Sequence, residues 1–201
     1  MHSLATDLID AIESLPGAFQ PGELPYLALT SKPEYAIRDR LSFILQCSLD
    51  PHGLIVAREW KRRDLVVLDD REPLAVVEFK SMYTFDGALR RSLPQEYKKL
   101  IERDIEKALG IASTSTEIYA FLSATHACSL VPQDLYGVIK YAHYINSAIE
   151  AGIDDIHAKC EENVLQWPVA SKLAWSGKLT SGEAMGLSVS VLGWLFGPYF
   201  A

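Results

Sequence analysis

"RRDLVVLDDREPLAVVEFKS", residues 62 to 81, sets two apolar runs on either side of a short polar segment. Runs of branched residues separated by a turn are typical of a β-hairpin. Asp64 stands where the first run begins, and Glu78 and Lys80 stand where the second run ends. A hairpin does not require these charges. They are therefore either solvated strand ends, whose ion pairs contribute little stability, or the members of a site.

The spacing of the hairpin predicts which of these side chains meet. If "DDREP" forms the turn, Asp64 lies opposite Glu78 on the neighbouring strand. Because side chains alternate along a strand, Glu78 and Lys80 point to one face, and Val77 and Phe79 point to the other. One end of the hairpin thus collects two carboxylates and an ammonium group.

Two neighbouring carboxylates repel each other unless one is protonated or a cation lies between them. Mg²⁺ prefers oxygen ligands and commonly takes one or two carboxylates together with waters and a substrate phosphate. A divalent ion lowers the pKa of water, and a neighbouring lysine can orient that water or stabilise charge on the phosphate. The pattern predicts a Mg²⁺ site, in which Mn²⁺ would substitute, for phosphodiester hydrolysis.

The rest of the chain alternates between helix and strand patterns, which predicts one α/β domain with a mixed β-sheet. Strands are expected at "GLIVAREW", "RDLVVLD", "LAVVEFKS", "EIYAFLSA" and within 172 to 197, where Ser176-Gly177 and Ser181-Gly182 are turn signals. Helices are expected at about 3 to 14, at about 33 to 48, from Pro94 to Gly110 and from Pro132 onwards through Leu135, Val138, Ile139, Ala142 and Ile149. The segment "LPGAFQPGELPY" is expected to be a loop because it contains three prolines.

Composition favours a folded protein of the cytoplasm. The chain has 201 residues, of which 49% are hydrophobic, enough for one domain with a real core. Its three cysteines are irregularly spaced, which suits a reducing compartment, and no secretory signal is evident. Residues 184 to 201 carry no charge over eighteen positions, but their glycines, serines and Pro198 favour a buried strand over a membrane span.

Charge is unevenly distributed along the sequence. The net charge of −7 argues mildly against binding nucleic acid over the whole surface. Residues 58 to 103, however, hold 11 Lys and Arg against 9 Asp and Glu. Within them, "REWKRR" supplies Arg58, Lys61, Arg62 and Arg63 as candidate phosphate contacts. Equally, such charges cluster between strands because turns are solvated.

One pattern in the sequence consists of Asp64, thirteen intervening residues and then Glu78-Phe79-Lys80, with an acid-bearing helix before it and an amphipathic helix after it. This pattern resembles the PD-(D/E)XK, or restriction-endonuclease-like, nuclease superfamily. The resemblance covers roughly residues 33 to 125 of the single domain, with 126 to 201 as a C-terminal extension. It implies a mixed sheet flanked by helices. It also implies that Asp64, Glu78 and the backbone carbonyl of Phe79 bind Mg²⁺, that Lys80 is catalytic, and that Glu34 matches a glutamate of the preceding helix.

The sequence also departs from that pattern. Arg63 stands where the superfamily motif has proline, and Gln95 and Tyr97 are too close together for the Gln-x-x-x-Tyr motif of some branches. Glu34 has a second interpretation, because "SKPE" is typical of a capping box with Ser31 as the cap. The two roles of Glu34 are compatible.

Tyrosines surround Lys140 in the later part of the chain. Tyr136, Tyr141, His143 and Tyr144 could stack on bases or contact phosphates. We favour core packing for them, because half of the helix expected there must be buried.

Two functions remain open. The first is a Mg²⁺-dependent nuclease acting on DNA, for which a paired cut in a duplex would favour a homodimer. The second is a catalytically inactive protein of the same fold that binds nucleic acid or serves in an assembly. The acidic net charge favours the second, and the intact Asp64, Glu78 and Lys80 favour the first.

Overall fold

A six-stranded mixed β-sheet forms the centre of the computed structural model, which describes residues 4–88, 93–151 and 155–201. In chain order the strands are β1 (Ile55–Trp60), β2 (Arg63–Asp69), β3 (Glu72–Tyr83), β4 (Glu117–Ala127), β5 (Leu173–Ala184) and β6 (Leu187–Tyr199). Their order across the sheet is β1-β2-β3-β4-β6-β5, in which only the β3–β4 pair of the described strands is parallel. The α/β class and the mixed sheet are therefore confirmed.

Seven α-helices are formed by the described residues. They are α1 (Leu4–Ala18), α2 (Glu23–Thr30), α3 (Glu34–Leu49), α4 (Thr84–Ala88), α5 (Leu93–Leu109), α6 (Ala142–Glu150) and α7 (Ile156–Leu165). Short 3₁₀ turns lie at Asp50–His52, Gln133–Leu135 and Pro168–Lys172.

Helices cover both faces of the sheet and divide the core into two layers. On one face, Leu65, Val77 and Phe79 belong to a core that includes residues of α1, α2, α3 and α6. On the other face, Val66 and Val76 pack in a second core with residues of α5 and α7. This alternation between successive strand residues is the one that the sequence predicts.

The β2–β3 hairpin has the register predicted at its open end but a tighter turn. Leu65 pairs with Val77, so Asp64 and Glu78 are the next residues outward on the two strands. The turn itself is only two residues long, between the paired Asp69 and Glu72. One extra residue, Leu74, forms a bulge in β3, and this insertion restores the register beyond it.

The prediction of a helix that begins at Pro132 is wrong for the first half of that segment. A single 3₁₀ turn, Gln133–Leu135, follows Pro132, and α6 begins only at Ala142. Gly137 and Tyr141 have positive φ angles of 86° and 61°, a backbone conformation that a right-handed helix does not contain.

Two other expectations are corrected. The proline-rich segment is not a continuous loop, because α1 extends to Ala18 and α2 begins at Glu23. Pro25 lies in the first turn of α2, where its missing N–H removes no helical hydrogen bond. Ser176-Gly177 and Ser181-Gly182 lie within β5, and the chain reverses at Met185 and Gly186 instead.

The C-terminal third completes the same sheet, because β6 pairs along almost its whole length with β4. The uncharged residues 184 to 201 thus contribute mainly β6, which lies between β4 and the edge strand β5. Within the ranges given above, no helix combines the length and the apolar character needed to cross a membrane.

Candidate active site

Asp64 and Glu78 emerge side by side at the open end of the hairpin. Asp64 Oδ2 accepts a hydrogen bond of 2.8 Å from the backbone N–H of Phe79, which fixes its carboxylate against β3. Because the pairing of Leu65 with Val77 places the next two residues opposite each other, both carboxylates lie on the face that α5 covers. The predicted register of this part of the hairpin is confirmed.

Glu78 is buried among charges of both signs. Its side chain Oε1 lies 3.2 Å from Nη1 of Arg63. Burial, and then the charge of Asp64, raise the pKa of Glu78 to about 7 despite the Arg63 guanidinium. Glu78 is therefore a carboxyl group that holds its proton at pH values where a solvated glutamate is ionised.

Arg63 points into the site. Its side chain is 13% exposed, and its Nε is buried with no hydrogen-bond partner in the part of the chain that the structure describes. In this arrangement Arg63 contacts Glu78 and does not extend into solvent as the expected phosphate contact.

Lys80 is held at two points. Its Nζ donates to the backbone carbonyl of Phe79 at 2.8 Å and lies 2.8 Å from Oδ2 of Asp104. Burial acts to lower the pKa of Lys80, but the negative charges of Asp104, Glu34 and Asp64 outweigh it and raise the pKa. Lys80 is thus kept protonated.

Asp104 is a site residue that the sequence reading did not identify. It is buried on α5, next to Ile101 and Ile105, which form part of the core. Although burial raises the pKa of Asp104, its contacts with Lys80 and Lys107 lower the pKa overall. The sequence did contain an indication of this role: Asp104 stands within the apolar stripe of a helix, where a buried charge requires a partner.

Glu34 reaches β3 from the first turn of α3. Its Oε2 accepts a hydrogen bond of 3.1 Å from the backbone N–H of Ser81, the residue after Lys80. The expected capping box is wrong, because Ser31 Oγ donates to the carbonyl of Leu27 in α2 and Pro33 precedes α3. The carboxylate that sequence spacing assigns to a cap contacts the strand of the candidate site.

The environment of Glu34 couples it to the other charges. Burial raises the pKa of Glu34, and the charge of Asp64 adds to this rise against the opposing charges of Lys80 and Lys32. Asp64 and Lys80 therefore lie close enough to Glu34 to affect its protonation.

Negative charge is concentrated at the pair of Asp64 and Glu78. Four carboxyl groups, those of Glu34, Asp64, Glu78 and Asp104, interact with Arg63 and Lys80, and Lys32 and Lys107 also act on Glu34 and Asp104. Around Glu78, however, the charges of Asp64 and Asp104 raise the pKa and the Arg63 guanidinium opposes them. Protonation of Glu78 relieves the repulsion within the pair, and binding of one divalent cation would relieve it as well.

The donor atoms fit Mg²⁺ or Mn²⁺. In the described residues no hydrogen bond or ion pair involves Oδ1 of Asp64 or Oε2 of Glu78, so each carboxylate retains one oxygen for an ion. No group of three or more His, Cys, Asp or Glu side chains in the described ranges is arranged to hold a metal. Mg²⁺ does not require one, because waters and substrate phosphates complete its coordination. The Phe79 carbonyl, in contrast, is engaged by Lys80.

A basic corner, the turn of Lys61 and Arg62, adjoins the site. Both side chains are exposed, and the turn joins Trp60 directly to Arg63. The Lys61 ammonium lies 4.2 Å from the centroid of a ring of Trp60. Arg58, on β1, is instead paired with Asp39 at 3.0 Å.

The later tyrosines are not core residues. Tyr136, Tyr141 and Tyr144 are 43%, 39% and 44% exposed, so the core-packing interpretation is wrong for them. They lie in and around the segment where the expected helix is interrupted.

Comparison with known protein families, with curated proteins and with solved structures finds no match to this chain. Its function is therefore inferred from the chemistry of the site. Two carboxylates beside a half-buried, protonated lysine can bind a divalent ion and stabilise negative charge on a phosphate.

Proposed function

We propose that this protein is a Mg²⁺-dependent nuclease that hydrolyses phosphodiester bonds in DNA. The observation that carries the proposal is the pair of neighbouring carboxyl groups at the open end of the hairpin, where burial and the charge of Asp64 raise the pKa of Glu78 to about 7. Such a group of neighbouring carboxyls destabilises the fold, and carboxyl groups with shifted pKa values of this kind concentrate at functional sites.

Each residue has a role that follows from its contacts. Asp64 and Glu78 would hold the ion, with Mn²⁺ as a substitute for Mg²⁺. A divalent ion in such a site supplies Lewis-acid stabilisation of the phosphate and lowers the pKa of water. Lys80, kept protonated by Asp104, would stabilise the charge that develops on the phosphate. Glu34, whose pKa is raised, is suited to take a proton from the attacking water.

The resemblance to the PD-(D/E)XK superfamily supports the proposal. It implies two acids and a lysine on adjacent strands, and Asp64, Glu78 and Lys80 lie on β2 and β3 in that order. Cys47, Cys128 and Cys160 are free thiols, which is consistent with our proposal that the protein acts in the cytoplasm.

A second candidate is a nucleic-acid-binding or assembly module without turnover. The ion pair between Arg63 and Glu78 favours it, because a guanidinium already neutralises the carboxylate that the ion would require. The two candidates differ in whether Glu78 exchanges Arg63 for a divalent cation.

Cleavage assays with single substitutions test the proposal. The parent should cut nucleic acid with Mg²⁺ or Mn²⁺ and stop with a chelator. Asp64→Asn, Glu78→Gln and Lys80→Met should each reduce the rate by at least about 100-fold, because the first two remove ligands of the ion and the third removes the charge that stabilises the phosphate. Asp69→Asn, at the exposed turn of the same hairpin, is the matched control and should cut normally.

The assay should include duplex DNA, single-stranded DNA and RNA, with circular dichroism to verify folding. Ca²⁺ should support binding better than cleavage because it takes more ligands with looser geometry. Full activity in the three variants would refute the nuclease proposal. Calorimetric Mg²⁺ binding without cleavage of any substrate would instead support the assembly module.

A further inference from the structure

A small cavity of about 180 Å³ lies beside the candidate active site. Five aromatic side chains and one lysine line it, together with Asp86. We call this cavity the aromatic pocket, and its walls are Lys32, Tyr83, Phe85, Asp86, Tyr97, Tyr141 and Tyr144. Pockets for drug-sized ligands measure about 300–1,000 Å³, so this one has room for a single small planar group.

The aromatic rings of the pocket pack against one another. Tyr83 and Phe85 stack with their centroids 5.1 Å apart, and Tyr141 meets Tyr83 edge-on at 5.4 Å. Tyr144 lies 6.4 Å from Phe85 at a shallow interplanar angle of 27°. Tyr83 is further fixed by a hydrogen bond of 2.8 Å from its hydroxyl to the carbonyl of Ala28. Buried rings thus support the partly exposed Tyr141 and Tyr144.

The aromatic pocket neighbours the candidate active site at Lys32. Lys32 lies 5.6 Å from the centroid of the Tyr97 ring, and its charge also acts on the carboxylate of Glu34. On β3, Lys80 and Tyr83 lie three residues, about 10 Å, apart, and their side chains point to opposite faces, so Lys32 and Glu34 link the pocket to the site. A nucleotide next to the cleaved bond could reach both places.

We propose that the aromatic pocket binds an unpaired base of single-stranded DNA beside the scissile phosphate, an inference that rests on the proposed nuclease function. Aromatic rings stack on any base because every base has a π face, whereas a base pair is too large for this cavity. Lys32 supplies a positive charge at the edge that faces Glu34. The substrate class is therefore DNA with a single-stranded segment at the cleavage site.

Fluorescence of 2-aminopurine tests this inference without requiring cleavage. Oligonucleotides that carry this base are titrated with protein in Ca²⁺, and stacking on a ring quenches the signal. The parent should quench single-stranded DNA but not fully paired DNA. Tyr144→Ala and Tyr141→Ala should each weaken single-strand binding by about 10-fold. Tyr144→Phe should preserve it, because stacking needs only the ring.

Tyr26→Ala is the matched control, since Tyr26 is 50% exposed on α2 and does not line the pocket. Unchanged single-strand binding in both alanine variants, or equal quenching of duplex, would overturn the inference even if the protein cuts DNA. Quenching by RNA alone would overturn the assignment to DNA. Tyr144-dependent quenching without cleavage of any substrate would uphold the pocket and refute the catalytic proposal.

Discussion

Glu78 links the protonation of the site to the stability of the fold. Its pKa is about 7 in the folded protein against an ordinary value of 4.5, so only the folded state holds this proton between those pH values. Stability should therefore fall as pH rises through this window and level off above pH 7, with a total loss of about 3 kcal/mol. Urea unfolding of the parent and of Glu78→Gln from pH 4 to pH 8, without divalent cations, measures this loss.

The variant should lose most of the pH dependence in that window. Because a glutamine resembles the protonated carboxyl group, the variant should be more stable than the parent above pH 7, where the parent carries an ionised Glu78. Glu106→Gln, on the exposed side of α5, should keep the slope of the parent. Equal slopes in the parent and in Glu78→Gln would contradict the raised pKa. Saturating Mg²⁺ should recover stability above pH 7, where the ion meets an ionised Glu78.

At the scale of elements, α5 positions the lysine of β3. Burial acts to lower the pKa of Lys80, and Asp104 is the main group that raises it. Asp104→Asn should therefore move the alkaline limb of the pH–rate profile to lower pH. Activity near pH 9 should fall by about 10-fold, with a smaller change near pH 7.

A pH profile distinguishes two possible roles of Asp104, control of the Lys80 pKa and docking of α5 onto the sheet. An equal loss of activity at every pH, together with a lower melting temperature, would mean that Asp104 only docks α5 onto the sheet. Glu106→Gln serves again as the control, because it removes an exposed carboxylate from the same helix.

The elements that the sequence predicted are those whose pattern is set by burial. The hairpin, β4 and α5 have apolar residues in phase with one face, and their existence follows from that periodicity. The sequence reading did not identify α2, because prolines obscured it, or α7, whose pattern is weaker. The predicted register of the site held because the bulge at Leu74 compensates for the shorter turn, a compensation that spacing alone does not reveal.

The contacts of the site were less predictable than its strands. Alternation along β3 placed Glu78 and Lys80 on one face, but it could not show that α5 brings Asp104 to Lys80. Nor could it show that Arg63 turns inward to Glu78. Such contacts depend on how elements pack across the fold, and side-chain periodicity contains no information about that packing.

At the scale of the whole molecule, an acidic protein must bind an acidic polymer through a local patch. The net charge of −7 opposes nucleic acid on average, and the basic corner of Lys61 and Arg62 lies directly before Arg63 and Asp64. Phosphate contacts at this corner would release counterions and make binding dependent on salt. The opposite edge of the sheet, formed by β5, lies on the order of 20 Å away.

The basic corner also occupies a strained turn. Lys61 and Arg62 have positive φ angles of 48° and 66° at the two central positions of the hairpin turn, where Asn-Gly is the favoured pair. The double variant Lys61→Asn, Arg62→Gly should therefore raise the free energy of unfolding by about 1–2 kcal/mol, because the new residues accept this conformation more readily. It should also weaken DNA binding and reduce the slope of log K against log salt concentration by about 2, because two phosphate contacts are lost. Denaturant unfolding and binding titrations between 50 and 200 mM salt, about the range where such contacts dominate, measure both effects.

Lys172→Ala with Lys178→Ala removes the same charge from β5 and the turn before it, and should leave the slope unchanged. If that control lowers the slope as much as the corner variant does, the effect reflects overall charge, and the basic corner is not the DNA contact.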